Sequence, residues 1–131
     1  MAQLNELFQE SDWKTEKHVP LIEAPESAKK GEMIKISVTV GKQVEHPNKT
    51  EHHIRWIEVY IHPKGEKNPV QIARAEFCAH GESPLGPDTS SVYARPEVSL
   101  SLKTDKAGTI YASSYCNIHG LWEMSKELKV I

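Results

Sequence analysis

The feature that most constrains the fold is a period-two alternation of apolar and polar residues that recurs along the chain. In MIKISVTV, residues 33–40, Ile34, Ile36 and Val38 share one face and polar side chains occupy the other. This is the pattern of a half-buried β-strand. The same alternation recurs in segments 54–62, 69–77, 97–103, 108–116 and 121–131. Clusters of turn-forming residues such as HPNKT and TDKAG separate the segments, and no long helical pattern interrupts them.

Six or seven short strands separated by turns predict an all-β protein. The expected architecture is an immunoglobulin-like antiparallel β-sandwich of about seven strands with an N-terminal arm. A chain of 131 residues can bury a core of useful size without disulfides. We therefore expect one domain, residues 1–131, in which residues 1–26 form the arm.

The arm has two parts with different patterns. Leu4, Leu7 and Phe8 lie at helical spacing and predict a short helix or turn, which either docks on the domain or makes a contact in an oligomer. The segment EKHVPLIEAP follows and carries two prolines. Proline disfavours a helix at the preceding residue, so we expect this segment to be extended and to lie on the sandwich surface.

Charge and composition exclude several classes of function. A net charge of -2 leaves no basic surface of the kind that nucleic acid requires, and no apolar run approaches the roughly 20 residues of a membrane span. The first residues carry no Lys or Arg ahead of an apolar run, so export is not expected and a cytoplasmic location is. In a reducing cytoplasm, Cys78 and Cys116 are expected to be thiols rather than a disulfide.

Histidine is the residue type that points to chemistry. Seven occur, and the candidate metal ligands fall at strand ends or in loops: His18, His46, His52, His53, Cys116 and His119. In a sandwich the loops of one end lie together, so these groups can converge on one ion. Because neighbouring strand residues face opposite ways, only one of His52 and His53 should reach it. His62 and His80 lack such a context and are expected in turns.

The donor types favour a redox metal, although they leave the metal open. A structural zinc site usually contains several cysteines at close spacing, whereas imidazole suits iron and copper as well as zinc. A blue-copper electron-transfer protein, with Cys116, His119 and Met124 as ligands, is one alternative. It leaves His18 and His52 unexplained, and Met124 alternates with apolar neighbours as a core residue would. A binding module without a metal, in which the histidines are incidental, is the other.

Four segments together resemble a known family. EKHVP, GKQVEHPNKTEHHIRWIEVY, AEFCAHGES and SYCNIHGLWE are similar to the superoxide reductases of the desulfoferrodoxin family, in the short neelaredoxin form, from about Trp13 to the C-terminus. The longer members begin with a Cys-rich domain that holds a second iron. Residues 1–15 here contain no cysteine, so the resemblance implies one catalytic iron.

The resemblance implies a ligand set and a reaction. The equatorial ligands of one iron would be His18, His46, His52 and His119, with the Cys116 thiolate axial. Glu16 would be the sixth ligand of the oxidised centre, Lys17 would stand beside the open position, and Cys78 would have no role. Superoxide would be reduced to hydrogen peroxide, with rubredoxin or a similar small carrier as electron donor. Members of this short type often form homotetramers.

The turn after Cys116 suggests one further interaction. The backbone N–H groups near Asn117 and Ile118 are expected to donate to the Cys116 sulfur, and such bonds would tune the reduction potential of the metal.

Overall fold

The strands of the protein form two sheets that face each other. The computed structural model describes all residues from 1 to 131, and its only helix is a 3-10 turn at Leu4–Leu7. The strands in chain order are β1 (Pro20–Glu23), β2 (Ser27–Ala28), β3 (Met33–Val40), β4 (Ile54–Pro63), β5 (Val70–Glu76), β6 (Glu97–Lys103), β7 (Gly108–Cys116) and β8 (Gly120–Val130). The predicted all-β sandwich with an N-terminal arm is confirmed.

The order of the strands determines which loops meet. One sheet has the order β1-β3-β6 and the other has the order β2-β8-β7-β4-β5. The end of β3 pairs with the starts of β1 and β6, and the start of β4 pairs with the ends of β5 and β7. The segment before β1, the β3–β4 loop, the β5–β6 loop and the β7–β8 turn therefore lie at the same end of the sandwich.

The core lies between the sheets and follows the alternation of the sequence. In β4 the burial alternates along the strand, and Ile57 and Val59 are fully buried. Ile36 and Val38 of β3 face them from the other sheet as members of the same cluster of fourteen buried residues. Burial of an aliphatic side chain of this size contributes about 1.5–3 kcal/mol, so this cluster is the main source of stability.

Two short strands, β1 in the arm and β2 directly after it, were not predicted as strands. β1 pairs with β3 in antiparallel orientation, and β2 pairs in parallel with β8 over Ser27 and Ala28. The chain therefore crosses from one sheet to the other between β1 and β2, and the parallel pair is an exception to the expected antiparallel arrangement. Leu21 and Ile22 are buried, so the prediction that this segment lies on the surface was wrong. A strand of four residues that begins with a proline gives too few alternating positions to be recognised.

The start of the arm does not contribute to the core. Phe8 is half-buried beside Tyr60 and Tyr111, whereas Leu4 and Leu7 are 63% and 55% exposed and do not dock on the domain. Their role as an oligomer contact stays a prediction. The structure contains no helix that is both long enough and apolar enough to cross a bilayer.

Candidate metal centre

The turn between β7 and β8 brings a thiol and an imidazole together. Cys116 is the last residue of β7 and pairs with Gly120, the first residue of β8. Gly120 has a φ of +84°, a left-handed conformation that glycine adopts without a steric penalty. The chain reverses within residues 117–119, and the backbone N–H of His119 donates a hydrogen bond to the Cys116 Sγ at 3.3 Å. The thiol itself is fully buried.

Three imidazole nitrogens meet above this thiol. The Nδ1 atom of His119 lies 3.1 Å from the Nε2 of His18 and 3.1 Å from the Nε2 of His52. His18, His52, His119 and Cys116 form a group in which each residue offers one donor atom. These four donor atoms all lie within 4.8 Å of one another. Donors at right angles on a metal about 2.1 Å away are about 3 Å apart, and opposite donors are about 4.2 Å apart. The spacing therefore fits a single metal ion.

His46 completes the cluster as a fourth imidazole. Its ring centroid lies 4.8 Å from that of His18 and 4.7 Å from that of His52. The Nδ1 of His46 is 2.6 Å from the carbonyl of Pro47, while its Nε2 is buried and has no hydrogen-bond partner. A buried nitrogen without a partner is costly unless something binds it. A metal ligated by the neighbouring donors would supply that partner.

Glu16 bonds to the outer edge of the His18 ring. Its Oε1 accepts a hydrogen bond from the His18 backbone N–H at 3.0 Å and lies 2.5 Å from the His18 Nδ1. Burial raises the pKa of Glu16, but the hydrogen bonds from His18 outweigh it and the pKa is lowered. A carboxylate on the outer nitrogen fixes the tautomer of a metal-bound histidine. The structure thus places Glu16 behind a candidate ligand, and its role as the sixth ligand stays a prediction.

The environment favours the neutral form of three of the imidazoles. Burial lowers the pKa of His46 to about 4 and also lowers the pKa of His52, and neighbouring positive charges, Lys17 among them, add to both shifts. Burial lowers the pKa of His18 as well, against the opposing effect of Glu16. Neutral imidazole is the form that binds a metal. Lys17 directly precedes His18 in the chain, and its positive charge contributes to the lowered pKa of all three rings.

Side chains that the sequence did not single out hold the candidate ligands in place. The Oδ1 of Asn117 accepts from the His53 N–H at 2.9 Å, and its Nδ2 donates to the Glu51 carbonyl at 2.9 Å. Asn117 thus bonds to both neighbours of His52. The Trp122 ring stacks on His18 with centroids 5.0 Å apart, and its N–H donates to the His119 carbonyl at 3.2 Å. The position of Asn117 inside the Cys-to-His motif was the one signal available for it.

Some predicted positions are different in the structure. The Asn117 backbone N–H donates to the His53 carbonyl at 3.2 Å, so it does not serve the Cys116 sulfur, which the His119 N–H reaches instead. His53 turns away from the cluster and bonds to the Lys49 carbonyl at 2.9 Å, as the alternation predicted for one of the two neighbours. Cys78 is an exposed free thiol.

The two remaining histidines are not in turns, contrary to the prediction. His62 belongs to β4, because the apolar alternation of that strand continues through it to Pro63. His80 is 5% exposed and forms an isolated β-bridge with Tyr93. Its burial depends on a contact with the β3–β4 loop, which the local sequence could not reveal.

Fold and cluster together define a class: β-sandwich proteins with a candidate mononuclear metal site of four imidazoles and one thiolate at one end. The family model described as Desulfoferrodoxin matches residues 10–125. The chain is 55% identical over 120 residues to the superoxide reductase of Pyrococcus furiosus, covering 92% of this chain and 94% of that protein. It is 48% identical over 121 residues to the neelaredoxin of Megalodesulfovibrio gigas, covering 92% and 93%.

A solved structure agrees with these relatives. The reduced form of the superoxide reductase (neelaredoxin) from Archaeoglobus fulgidus superimposes with a TM-score of 0.87 at 50% identity, covering 94% of this chain and 98% of that chain. The chain belongs to the desulfoferrodoxin family.

Proposed function

We propose that this protein is a superoxide reductase that works through one iron. The observation that carries the proposal is the convergence of four imidazoles and the buried Cys116 thiol at one end of the sandwich. The proposed ligands are His18, His46, His52, Cys116 and His119. When bound there, ferrous iron supplies the single electron that converts superoxide and two protons to hydrogen peroxide, and the thiolate tunes its potential. The named relatives support this reaction.

The charge of Lys17 would guide the substrate. Superoxide is a small anion, and the protein carries a net charge of -2. Local positive charge determines the approach of such an anion more than net charge does. The positive charge of Lys17 contributes to the lowered pKa of His18, His46 and His52. The same charge would attract an anion that approaches these rings.

Glu16 would act as a further ligand of the same iron. Its carboxylate is available as the sixth ligand of the oxidised centre, provided that it leaves the His18 ring to which it is bonded here. His119 is exposed and His52 is half-buried, so water can bring protons to the site and peroxide can leave it.

The copper alternative is not favoured. The Sδ of Met124 accepts a hydrogen bond from the Ile22 backbone N–H at 3.3 Å, and Met124 packs against the core. A copper site built on Met124 would also leave His18 and His52 without a function.

The remaining parts of the proposal concern partners. Oxidised iron has to be reduced again, and we propose rubredoxin or a similar small carrier as the donor. We propose a homotetramer in the cytoplasm, built from chains that each form one iron-binding domain. The single cluster of core residues supports the one-domain arrangement, and the exposed Leu4 and Leu7 are available for contacts between chains.

Rapid mixing with superoxide tests the proposal. Protein purified without oxygen should contain one iron per chain and, once reduced, should yield one hydrogen peroxide per superoxide consumed without releasing dioxygen. The Cys116→Ser variant should lose this activity. Release of one dioxygen for every two superoxide ions would indicate dismutation, and stoichiometric copper in place of iron would indicate the alternative.

A further inference from the structure

Two loops face each other next to the candidate metal centre. We call residues 46–53 the ligand loop, because they contain His46 and His52, and residues 77–94 the clamp loop. Neither contains a strand. The clamp loop is folded on itself, with backbone hydrogen bonds from Ala94 to the Ala79 carbonyl at 2.8 Å and from Ser90 to the Gly81 carbonyl at 2.9 Å. It is therefore an ordered partner for the ligand loop.

His80 lies at the contact between the two loops. Its Nδ1 is 3.0 Å from the Oδ1 of Asn48 in the ligand loop, and its Nε2 is 2.6 Å from the Phe77 carbonyl. The Asn48 amide donates to the Ala94 carbonyl at 2.8 Å, so both ends of that amide bond to the clamp loop. The backbone carbonyl of His80 accepts from the Thr50 hydroxyl at 3.2 Å. A single buried residue thus contacts two positions between His46 and His52.

The ring of His80 also packs on the ligand loop. It stacks on His53 with centroids 3.6 Å apart and planes 7° from parallel. His53 is in turn bonded through Nδ1 to the Lys49 carbonyl. The stack fixes the residue that directly follows the candidate ligand His52.

Asp88 adds a second point of attachment. Its carboxylate accepts from the Thr50 N–H at 3.0 Å, and its own N–H donates to the Thr50 hydroxyl at 3.1 Å. Asp88 has a φ of +55°, an unusual conformation for a residue other than glycine. The surrounding hydrogen bonds hold it there.

These contacts oppose an unfavourable arrangement of histidine ring nitrogens in the metal-free protein. The Nε2 atoms of His18 and His52 lie 3.1 Å from the Nδ1 of His119, and the buried Nε2 of His46 has no hydrogen-bond partner, which is unfavourable until a cation binds it. The bonds internal to the ligand loop are the backbone pair between Lys49 and His52 and the ring bonds of His46 and His53 to the Pro47 and Lys49 carbonyls, and none of them joins His46 to His52. The position of His46 and His52 must therefore be maintained from outside the loop.

We propose that His80 is a positioning residue that holds His46 and His52 in the metal-binding arrangement before the metal arrives. It acts through Asn48, Thr50 and His53 and touches neither metal nor substrate. The use of this site to bind iron rests on the proposed function. The support of the ligand loop by His80 is a property of the metal-free chain. Fixing ligands in advance reduces the entropy lost on binding, and changes in such supporting contacts typically cost about 10–100-fold in metal affinity.

The test compares His80→Phe with a matched control, His62→Phe. Phenylalanine keeps an aromatic ring for the stack but removes both ring nitrogens, which face the Asn48 Oδ1 and the Phe77 carbonyl. His62 pairs with Thr109 at the opposite end of β4 from the site. In metal-free His80→Phe we expect amide hydrogen exchange at Lys49 and His52 to be at least about 10-fold faster, and Co²⁺ affinity to fall about 10–100-fold. His80→Gln, which retains one donor, should recover part of both losses.

Two results would overturn the inference: unchanged exchange and Co²⁺ affinity in folded His80→Phe, or equal losses in His62→Phe. If His80→Phe does not fold, Thr50→Val removes the hydroxyl contacts of the same interface and should show the same two effects in weaker form. Native exchange rates and affinity in Thr50→Val would then contradict the inference. Neither measurement uses superoxide, so a loss of loop order would stand even if the proposed reduction of superoxide failed.

Discussion

The chemistry of the site depends on which nitrogen each histidine turns toward the centre. The outer Nδ1 atoms of His18 and His46 are held by Glu16 and by the Pro47 carbonyl, so these rings present Nε2. His119 presents Nδ1 instead. The reason is its position in the tight turn after Cys116, where the ring is too close to the centre to present its more distant nitrogen.

At the residue scale, replacing Lys17 with methionine should slow the reaction with superoxide. Loss of the local positive charge is expected to lower the second-order rate constant about 10-fold at low ionic strength and to flatten its dependence on salt. Pulse radiolysis at several salt concentrations measures both quantities. Lys14→Met, at an exposed position of the same arm, is the control and should behave as the unaltered protein does. A Lys17→Met variant with native rate and native salt dependence would contradict the steering role.

His46 should make the metal-free protein sensitive to acid. Its pKa is about 4 in the folded chain against an ordinary value of 6.5, so below pH 6.5 the unfolded chain binds the proton more readily. The free energy of unfolding should therefore fall as the pH drops from about 6.5 to 4, by about 3 kcal/mol from this residue. Urea denaturation across this range measures it. His46→Gln should show a smaller decline, and an equal decline in both proteins would assign the effect to other groups.

At the scale of elements, the β7–β8 turn does more than connect two strands. It places Cys116 and His119 on the same side, and Asn117 between them ties the turn to the β3–β4 loop through bonds on both sides of His52. Three of the candidate ligands are thus related through one short turn.

Replacing Asn117 with alanine should loosen this connection. The buried His53 N–H and the carbonyl of the exposed Glu51 lose their partner, so we expect a destabilisation of about 1–3 kcal/mol in the metal-free protein. Urea denaturation measures it, with Asn68→Ala as a control at an exposed turn, where the change should stay within about 0.5 kcal/mol. Equal stability of the two variants would show that the Asn117 bonds contribute nothing net.

The elements differ in how far the sequence predicted them. The strands with clear alternation, such as β6 and β7, begin and end at the predicted residues. β1 and β2 were missed because Pro20–Glu23 and Ser27–Ala28 are too short to show a period. Their status as strands depends on pairing with β3 and β8, which are distant in sequence.

At the scale of the whole molecule, the metal should stabilise the fold. Its candidate ligands come from the arm, the β3–β4 loop and the β7–β8 turn, so binding joins segments that separate on unfolding. At free metal 1,000 times its dissociation constant the gain is about 4 kcal/mol, which corresponds to about 10 °C or more in Tm. Calorimetry of iron-loaded and chelator-treated protein tests this. Cys116→Ser should show a smaller difference, and identical melting of the two forms would argue against a structural coupling.

The exposed arm offers a test of assembly. Burying Leu4 and Leu7 in contacts between chains would remove apolar surface from water, which favours association. We expect sedimentation to give four chains of 14.8 kDa, and the double variant Leu4→Ser, Leu7→Ser to dissociate at higher protein concentration. Lys29→Ser and Lys30→Ser, exposed elsewhere, provide a control. Unchanged association of the leucine variant would exclude these residues from the interface.

The sequence by itself determined the strand pattern, because alternation is a local property of each segment, and the identity of the donors, because residue types are written in the chain. It did not determine that Leu21 and Ile22 are buried, which nitrogen each histidine presents, or that His80 supports the ligand loop. The burial of Leu21 and Ile22 depends on the pairing of β1 with β3, and the support from His80 depends on its contact with Asn48, more than 25 residues away. Only the tertiary structure brings such segments together, since their contacts form when both sheets close over one core.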